Sequence, residues 1–259
     1  MTEKSKSLEN TYIYKNNNLF KNSFQITYVL LLTTATITFI EAIRTNNAAL
    51  RHILNLETCI SLVACYFYSI FIVKVADYNP DLERAEALSV AKGAGERLNS
   101  VGDSRRSSFD WKEITQIRYI DWSITTPMML LSLCLILSMN TTKSVNIFKY
   151  LIIVILNYTM LYLGYIGEIG IISRMLSFFL GFIAFFALFY FIFINYLKNS
   201  KSQSNYVIFL FYVAVWSMYG IVFLLPEETK NTITNFLDLI AKCFGGISIW
   251  VYYTGIITN

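Results

Sequence analysis

The chain has 259 residues, of which 55% are hydrophobic and only 15% charged, and its mean hydropathy is +0.49. So few charges cannot cover an ordinary soluble domain of this size, and the composition points to one polytopic membrane domain. The net charge of +4 is small. Its lysines and arginines sit mostly at the ends of apolar runs, which excludes a nucleic-acid surface.

Residues 1–23 form a polar, lysine- and asparagine-rich leader without an apolar centre, so it is not a cleavable signal peptide. Seven apolar runs follow at 24–43, 52–75, 114–137, 147–165, 175–197, 206–225 and 233–257, each near the roughly 20 residues that cross a bilayer as a helix. The expected fold is therefore all-α, a seven-helix membrane bundle occupying 24–257.

Arg44 and Arg51 flank the first turn, Lys143 and Lys149 the third, and Lys198 and Lys201 the fifth. By the positive-inside rule these turns are cytoplasmic, which puts the N-terminus outside and the C-terminus inside. The leader's own lysines argue mildly the other way. The opposite side then carries a long connection at 76–109 and the turn with Glu227, Glu228 and Lys230. A connection that long is usually functional or structured in its own right. Cys59, Cys65, Cys134 and Cys243 lie within apolar spans without metal-ligand spacing, so they are read as packing residues, with no disulfide and no metal site.

The third span reads RYIDWSITTPMMLLSL at 118–133. Asp110, with Glu113 three residues on, makes a capping box just before it. Arg118, Asp121 and Thr125 share one helical face, and Ser132 returns to that face about 16 Å beyond Asp121. Pro127 cannot donate to the carbonyl of Ser123 and is expected to bend the helix beside this polar stripe.

The seventh span carries NFLDLIAKCF at 235–244, where Asp238 and Lys242 are one helical turn apart in an apolar run. An ammonium at that depth costs roughly 2.5–3.5 kcal/mol, so it must be paired, neutralised or used chemically. Two readings stay open: an ion pair holding helices together, or a lysine used covalently as a Schiff base with Asp238 as counterion. Lys242 and Arg118 balance Asp121 and Asp238, so these four charges would form a near-neutral cluster if they converge.

With RYIDWSITTP in the third span, WSMY at 216–219 in the sixth and D-x-x-x-K at 238–242 in the seventh, the chain resembles the type-1 (microbial) rhodopsins. GYIGE at 164–168 is similar to proteorhodopsin-like members, and the set Asp121, Thr125 and Ser132 resembles the Asp-Thr-Ser group of giant-virus rhodopsins. The resemblance implies that Lys242 holds all-trans retinal as a protonated Schiff base, that Asp121 and Asp238 are counterions with Asp121 the proton acceptor, and that Arg118 lies on their extracellular side. Thr125 would hydrogen-bond the Asp121 carboxyl. The retinal pocket would be lined by Trp122, Thr126, Met129, Met160, Gly164, Trp216, Tyr219 and Ala241, with apolar Met129 favouring green absorption.

Four departures from the family pattern qualify this. Ser132 stands where pumping relatives place a carboxylate that reprotonates the Schiff base, and a hydroxyl can only relay a proton. Glu41 and Glu57 are candidates for the missing donor; otherwise both simply face the headgroups. His52, the only histidine, begins the second span, too far out for the histidine–acceptor pair of proteorhodopsin-like relatives. Gly220 replaces a usual proline and Phe223 a larger aromatic. Phe178 takes the place of a glycine found in carotenoid-binding relatives, so no carotenoid antenna is expected.

Glu228, and less so Glu227, are candidates for extracellular proton release, against the reading of solvated loop charge. The resemblance implies no enzyme but an outward light-driven proton pump in a plasma or other host membrane, assembled as a trimer or pentamer. Its partners would be lipid and protons. A photosensor or a light-gated channel is the alternative, since the absent donor at Ser132 suits a slow photocycle.

Overall fold

The computed structural model describes residues 3–76, 78–79, 109–139, 144–198, 200 and 202–246, the side chains of 3–17 and 244 excepted. All its regular structure is helical. The elements are α1 (Glu3–Arg44), α2 (Ala48–Val75), α3 (Trp111–Met139), α4 (Ile147–Glu168), α5 (Arg174–Ile192), α6 (Gln203–Val222) and α7 (Glu227–Asp238). Wide π-helical turns extend α5 over Phe193–Leu197 and α7 over Leu239–Phe244. Among the described residues six helices are long and apolar enough to cross a membrane, namely α1 to α6. The connection at 76–109 and the last part of the seventh span, 247–257, fall largely or wholly outside the described residues.

Local sequence explains where the helices start. Asn47 and Asn146 sit before α2 and α4, and each side-chain oxygen accepts two backbone N–H groups of the first turn, at 3.0 and 3.2 Å and at 2.9 and 3.2 Å. Ser173 and Ser202 cap α5 and α6 in the same way. The α4–α5 turn closes on Gly170, whose φ of 77° suits glycine, and Ile171 N–H reaches back to the Ile166 carbonyl at 2.9 Å.

Several predicted features shift. Phe20 and Ser23 are already buried, before the expected start of the first span at 24, because Phe20 stacks edge-on against Phe24, Tyr78 and Trp111. Asp110 does cap α3, accepting from Lys112 and Glu113 N–H, but Glu113 completes no capping box: its carboxylate pairs with Lys74 at 2.6 Å. Glu227, Glu228 and Lys230 are not a loop. They form the first turn of α7, where the acidic side chains suit the positive end of the helix dipole. Cys65, Cys134 and Cys243 are buried as expected, whereas Cys59 is exposed on the outer surface.

The core divides in two. One part, around Met129, Leu133, Phe185, Phe189, Tyr212 and Trp216, joins α3 to α5 and α6. The other, around Phe20, Phe24, Tyr68, Phe71 and Trp111, joins α1 to α2 and α3. Beside the first part lies a cavity of about 150 Å³, walled by α3 to α7, that reaches from Lys242 to Glu168 and Lys230 at one end of the bundle.

Candidate functional site

Pro127 supplies no N–H to the Ser123 carbonyl, and Tyr158 of α4 donates to it instead at 3.0 Å. Tyr150 likewise donates to the Pro127 carbonyl at 2.9 Å. The two tyrosines fasten α4 to the broken turn of α3. Beside that turn the polar stripe faces inward as its spacing predicts: Arg118, Asp121, Thr125 and Ser132 are all buried.

The four charges converge. Lys242 Nζ lies 2.9 Å from Asp121 Oδ2 and 3.5 Å from Asp238 Oδ2, and Arg118 Nη1 lies 3.7 Å from the same Asp238 oxygen. Lys242 is 1% exposed and both carboxylates are fully buried, so two cations meet two anions out of reach of solvent. Lys242 stands in the π-helical stretch of α7, a wide turn that the i, i+4 spacing gives no sign of.

Asp238 and Arg118 are also hydrogen-bonded by neutral side chains. Asp238 accepts from Tyr219 OH at 2.7 Å and from Tyr68 OH at 2.8 Å. Arg118 donates to Asn231 Oδ1 from Nε and Nη2 at 3.2 and 3.0 Å and to Asn235 Oδ1 at 2.9 Å, with its guanidinium 4.8 Å from the centroid of the Phe71 ring. Asn235 in turn donates to Ser23 of α1 at 2.8 Å. Tyr68, Asn231 and Asn235 brace these charges, and the sequence singled out none of them. Their only signal was polarity within the apolar spans at 52–75 and 233–257 or, for Asn231, just before the latter.

Thr125 does not bond the Asp121 carboxyl. Its hydroxyl donates to the Asp121 backbone carbonyl at 2.9 Å, the helical partner one turn back, which leaves Asp121 Oδ1 buried without a partner.

The cavity beyond Lys242 is lined by Trp122, Thr126, Met129, Met160, Gly164, Trp216 and Tyr219, with Phe178, Phe182 and Gly220 along its wall. Trp122 and Tyr219 meet edge to face at 5.6 Å. Ala241 is buried in the core around Trp216 rather than on the cavity surface. Thr126 accepts a hydrogen bond from Asn157 at 2.8 Å, tying the slot to α4.

Of the candidate donors, Glu57 is 3% exposed and accepts a hydrogen bond from Ser132 at 2.5 Å. Glu41 instead pairs with Arg44 at the surface. At the other end, Lys230 Nζ is within 2.8 Å of Glu168 and Glu227, and Arg174 lies 3.0 Å from both. Glu228 accepts from Tyr78 OH at 3.2 Å and stands outside that cluster. His52 is exposed, as an interfacial residue should be. Among the described residues no group of three or more histidine, cysteine or carboxylate side chains could hold a metal ion.

A membrane-embedded helical bundle with a buried amine between two buried carboxylates, at the end of an aromatic-lined cavity, defines a photoreceptor of the rhodopsin class. The family model for bacteriorhodopsin-like proteins matches residues 19–256, and the chain belongs to that family of microbial rhodopsins. It is therefore a multi-pass integral membrane protein of a light-driven, retinal-binding family.

Among solved structures it is similar to the viral rhodopsin OLPVRII, with 40% identity, a TM-score of 0.75, and coverage of 92% of this chain and 99% of that one. It shares the fold of the blue light-absorbing proteorhodopsin from Med12, at 20% identity, TM-score 0.65, covering 93% and 99%. The same holds for Acetabularia Rhodopsin I, at 19% identity, TM-score 0.68, covering 93% and 97%. Comparison with curated proteins gave no match.

Proposed function

We propose that the chain is an outward light-driven proton pump in which Lys242 carries all-trans retinal as a Schiff base, Asp121 takes up its proton and Glu57, hydrogen-bonded by Ser132, returns one. The residues fit the chromophore. Lys242 lines the cavity together with Trp122, Trp216 and Tyr219, whose rings make much of its wall apolar. Retinal, when bound there, supplies the absorption of light and the change of shape that redirects the nitrogen's proton.

The observation that carries the reading is the 2.9 Å contact between Lys242 Nζ and Asp121 Oδ2. A carboxylate at hydrogen-bond distance is placed to receive a proton directly, and it keeps the charged nitrogen stable until then. Asp238 is fixed by two tyrosine hydroxyls, so it holds negative charge while Asp121, bonded through one oxygen only, is the better proton acceptor. Arg118, braced by Asn231 and Asn235, supports the negative pair from the side away from Ser132.

The sensor and channel readings drew on Ser132 leaving no internal donor. Glu57 favours the pump instead: its buried carboxyl accepts a hydrogen bond from Ser132 and lies on the side of the amine opposite Arg118. Glu228, partly buried and outside the four-ion cluster, is the group offered for release on the outward side. Moving one charge against 100 mV requires about 2.3 kcal/mol, so uptake and release must face opposite sides at different times. A donor and an acceptor on opposite sides of Lys242 suit that requirement.

The test is the light-induced pH change of an unbuffered suspension of cells expressing the protein with added retinal. Acidification that a protonophore abolishes, and that Asp121→Asn removes, supports outward pumping. A protein with a retinal absorption band and no pH change overturns it.

A further inference from the structure

Resting on the reading of Glu57 as the internal donor, we propose that Ser61 is a positioning residue for proton return: it holds a water molecule that links the Glu57 carboxyl to the nitrogen of Lys242. Three observations carry this. The first is position. Glu57, Ser61, Ala64 and Tyr68 fall at i, i+4, i+7 and i+11 on α2, one continuous buried face.

The two ends of that face are fixed against α3 and α7. Tyr68 bonds Asp238 and Arg118, while Glu57 bonds Ser132 and abuts Gly246, where an added Cβ would stand 3.2 Å from Glu57 Oε2. Lys242 lies midway along α7 between Asp238 and Gly246. Ser61 is one turn, about 6 Å, from Glu57 toward the Tyr68 end, so it occupies the same interval from the side of α2.

The second observation is that the Ser61 hydroxyl is fully buried and has no hydrogen-bond partner. Other hydroxyls on the same helix behave differently: Thr58 donates to the Leu54 carbonyl at 2.8 Å and Ser69 to the Tyr66 carbonyl at 2.6 Å. Ser61 makes no such backward bond. A buried hydroxyl left unpaired is unfavourable, and a bound water is the usual remedy.

The third is the gap to be crossed. Ser132 bonds Glu57 but sits about 16 Å along α3 from Asp121, the carboxylate that the amine touches, so a further polar group must bridge from Glu57 toward Lys242. Ser61 is the buried hydroxyl on that interval of α2. The transfer balances as a hop. The Glu57 O–H bond breaks as its proton passes to the water, and the water gives one of its own protons to the Lys242 nitrogen. Glu57 is left as a carboxylate and the water is regenerated, with Ser61 Oγ holding its oxygen in line throughout.

The experiment compares Ser61→Ala, Ser61→Thr and Glu57→Gln in the full chain. In the retinal-free protein, the infrared C=O stretch that Glu57→Gln removes should shift in Ser61→Ala and return toward its original position in Ser61→Thr. In the retinal-loaded protein, proton uptake after a flash, followed with a pH dye, should slow by roughly tenfold in Ser61→Ala and recover in Ser61→Thr.

Slow uptake in Glu57→Gln with an unshifted band and unchanged uptake in Ser61→Ala would overturn the role of Ser61 and leave Glu57 standing. Unchanged uptake in Glu57→Gln would remove the donor reading, and the role of Ser61 with it.

Discussion

Ser132 donates a hydrogen bond to Glu57 at 2.5 Å, joining α3 to α2 within the bundle. Ser132 carries no carboxylate of its own, and a carboxylate from a different helix meets it. If Glu57 is the donor, Glu57→Gln should slow proton uptake by about 10²-fold, at the lower end of what a positioned general acid contributes. Proton release, which depends on Asp121, should keep its rate. Flash-induced signals of a pH dye separate the two phases, and equal slowing of both would count against the assignment.

Glu57 is held from the other side by Gly246. A Cβ there would approach Glu57 Oε2 to 3.2 Å, closer than ordinary contact, so Gly246→Ala should displace the carboxyl by a few tenths of an ångström. The expected result is a protein with its absorption band intact, since Lys242 is a full turn away, but with the Glu57 C=O stretch shifted. An unshifted stretch would mean that the carboxyl is not seated against α7.

Arg118 binds four buried groups, Tyr68, Asn231, Asn235 and Asp238. Arg118→Gln leaves Asp238 with one cation fewer and removes the donors to Asn231 and Asn235. Breaking a buried ion pair from one side costs about 3–5 kcal/mol, so thermal unfolding in detergent should begin at a clearly lower temperature. Lys112→Gln, on an exposed residue of the same helix, should leave it unchanged.

Much of this centre was legible in the sequence because it repeats at helical spacing. Asp238 and Lys242, and the run Arg118, Asp121, Thr125 and Ser132, lie on single helices, where the 3.6-residue period alone sets the shared face. What the period cannot reveal is a partner on another helix. Glu57 and Ser132 are 75 residues apart, and Tyr68 and Asp238 are 170 apart, so only folding brings them together.

The Thr125 expectation failed for the opposite reason. A hydroxyl in a helix has its own backbone carbonyl one turn back, nearer than the carboxyl across the face. Lys230 read as loop charge because Pro226 and two glutamates look like a turn, although the same residues also begin a helix well.

The four-ion cluster should discriminate between its two carboxylates. Glu168 has a side chain 6% exposed and accepts from both Lys230 and Arg174, whereas Glu227 is 28% exposed. Glu168→Gln should therefore lower the unfolding temperature more than Glu227→Gln, because desolvated charges left unpaired are costlier than wetted ones. Equal effects would show that water reaches both.

Pro127 and Tyr158 should be coupled. Tyr158→Phe removes the hydroxyl that donates to the Ser123 carbonyl, an acceptor left without its i+4 partner by the proline, and should cost roughly 1–3 kcal/mol. In a Pro127→Ala background the alanine N–H can bond that carbonyl itself, so the same Tyr158→Phe change should cost less. The difference between the two backgrounds, read from unfolding temperatures in a double-mutant cycle, isolates the replacement bond from the loss of a lipid-facing hydroxyl. If Tyr158→Phe costs the same in both, the tyrosine is not what satisfies the broken turn, and α4 is held to α3 by packing and by the Asn157–Thr126 bond instead.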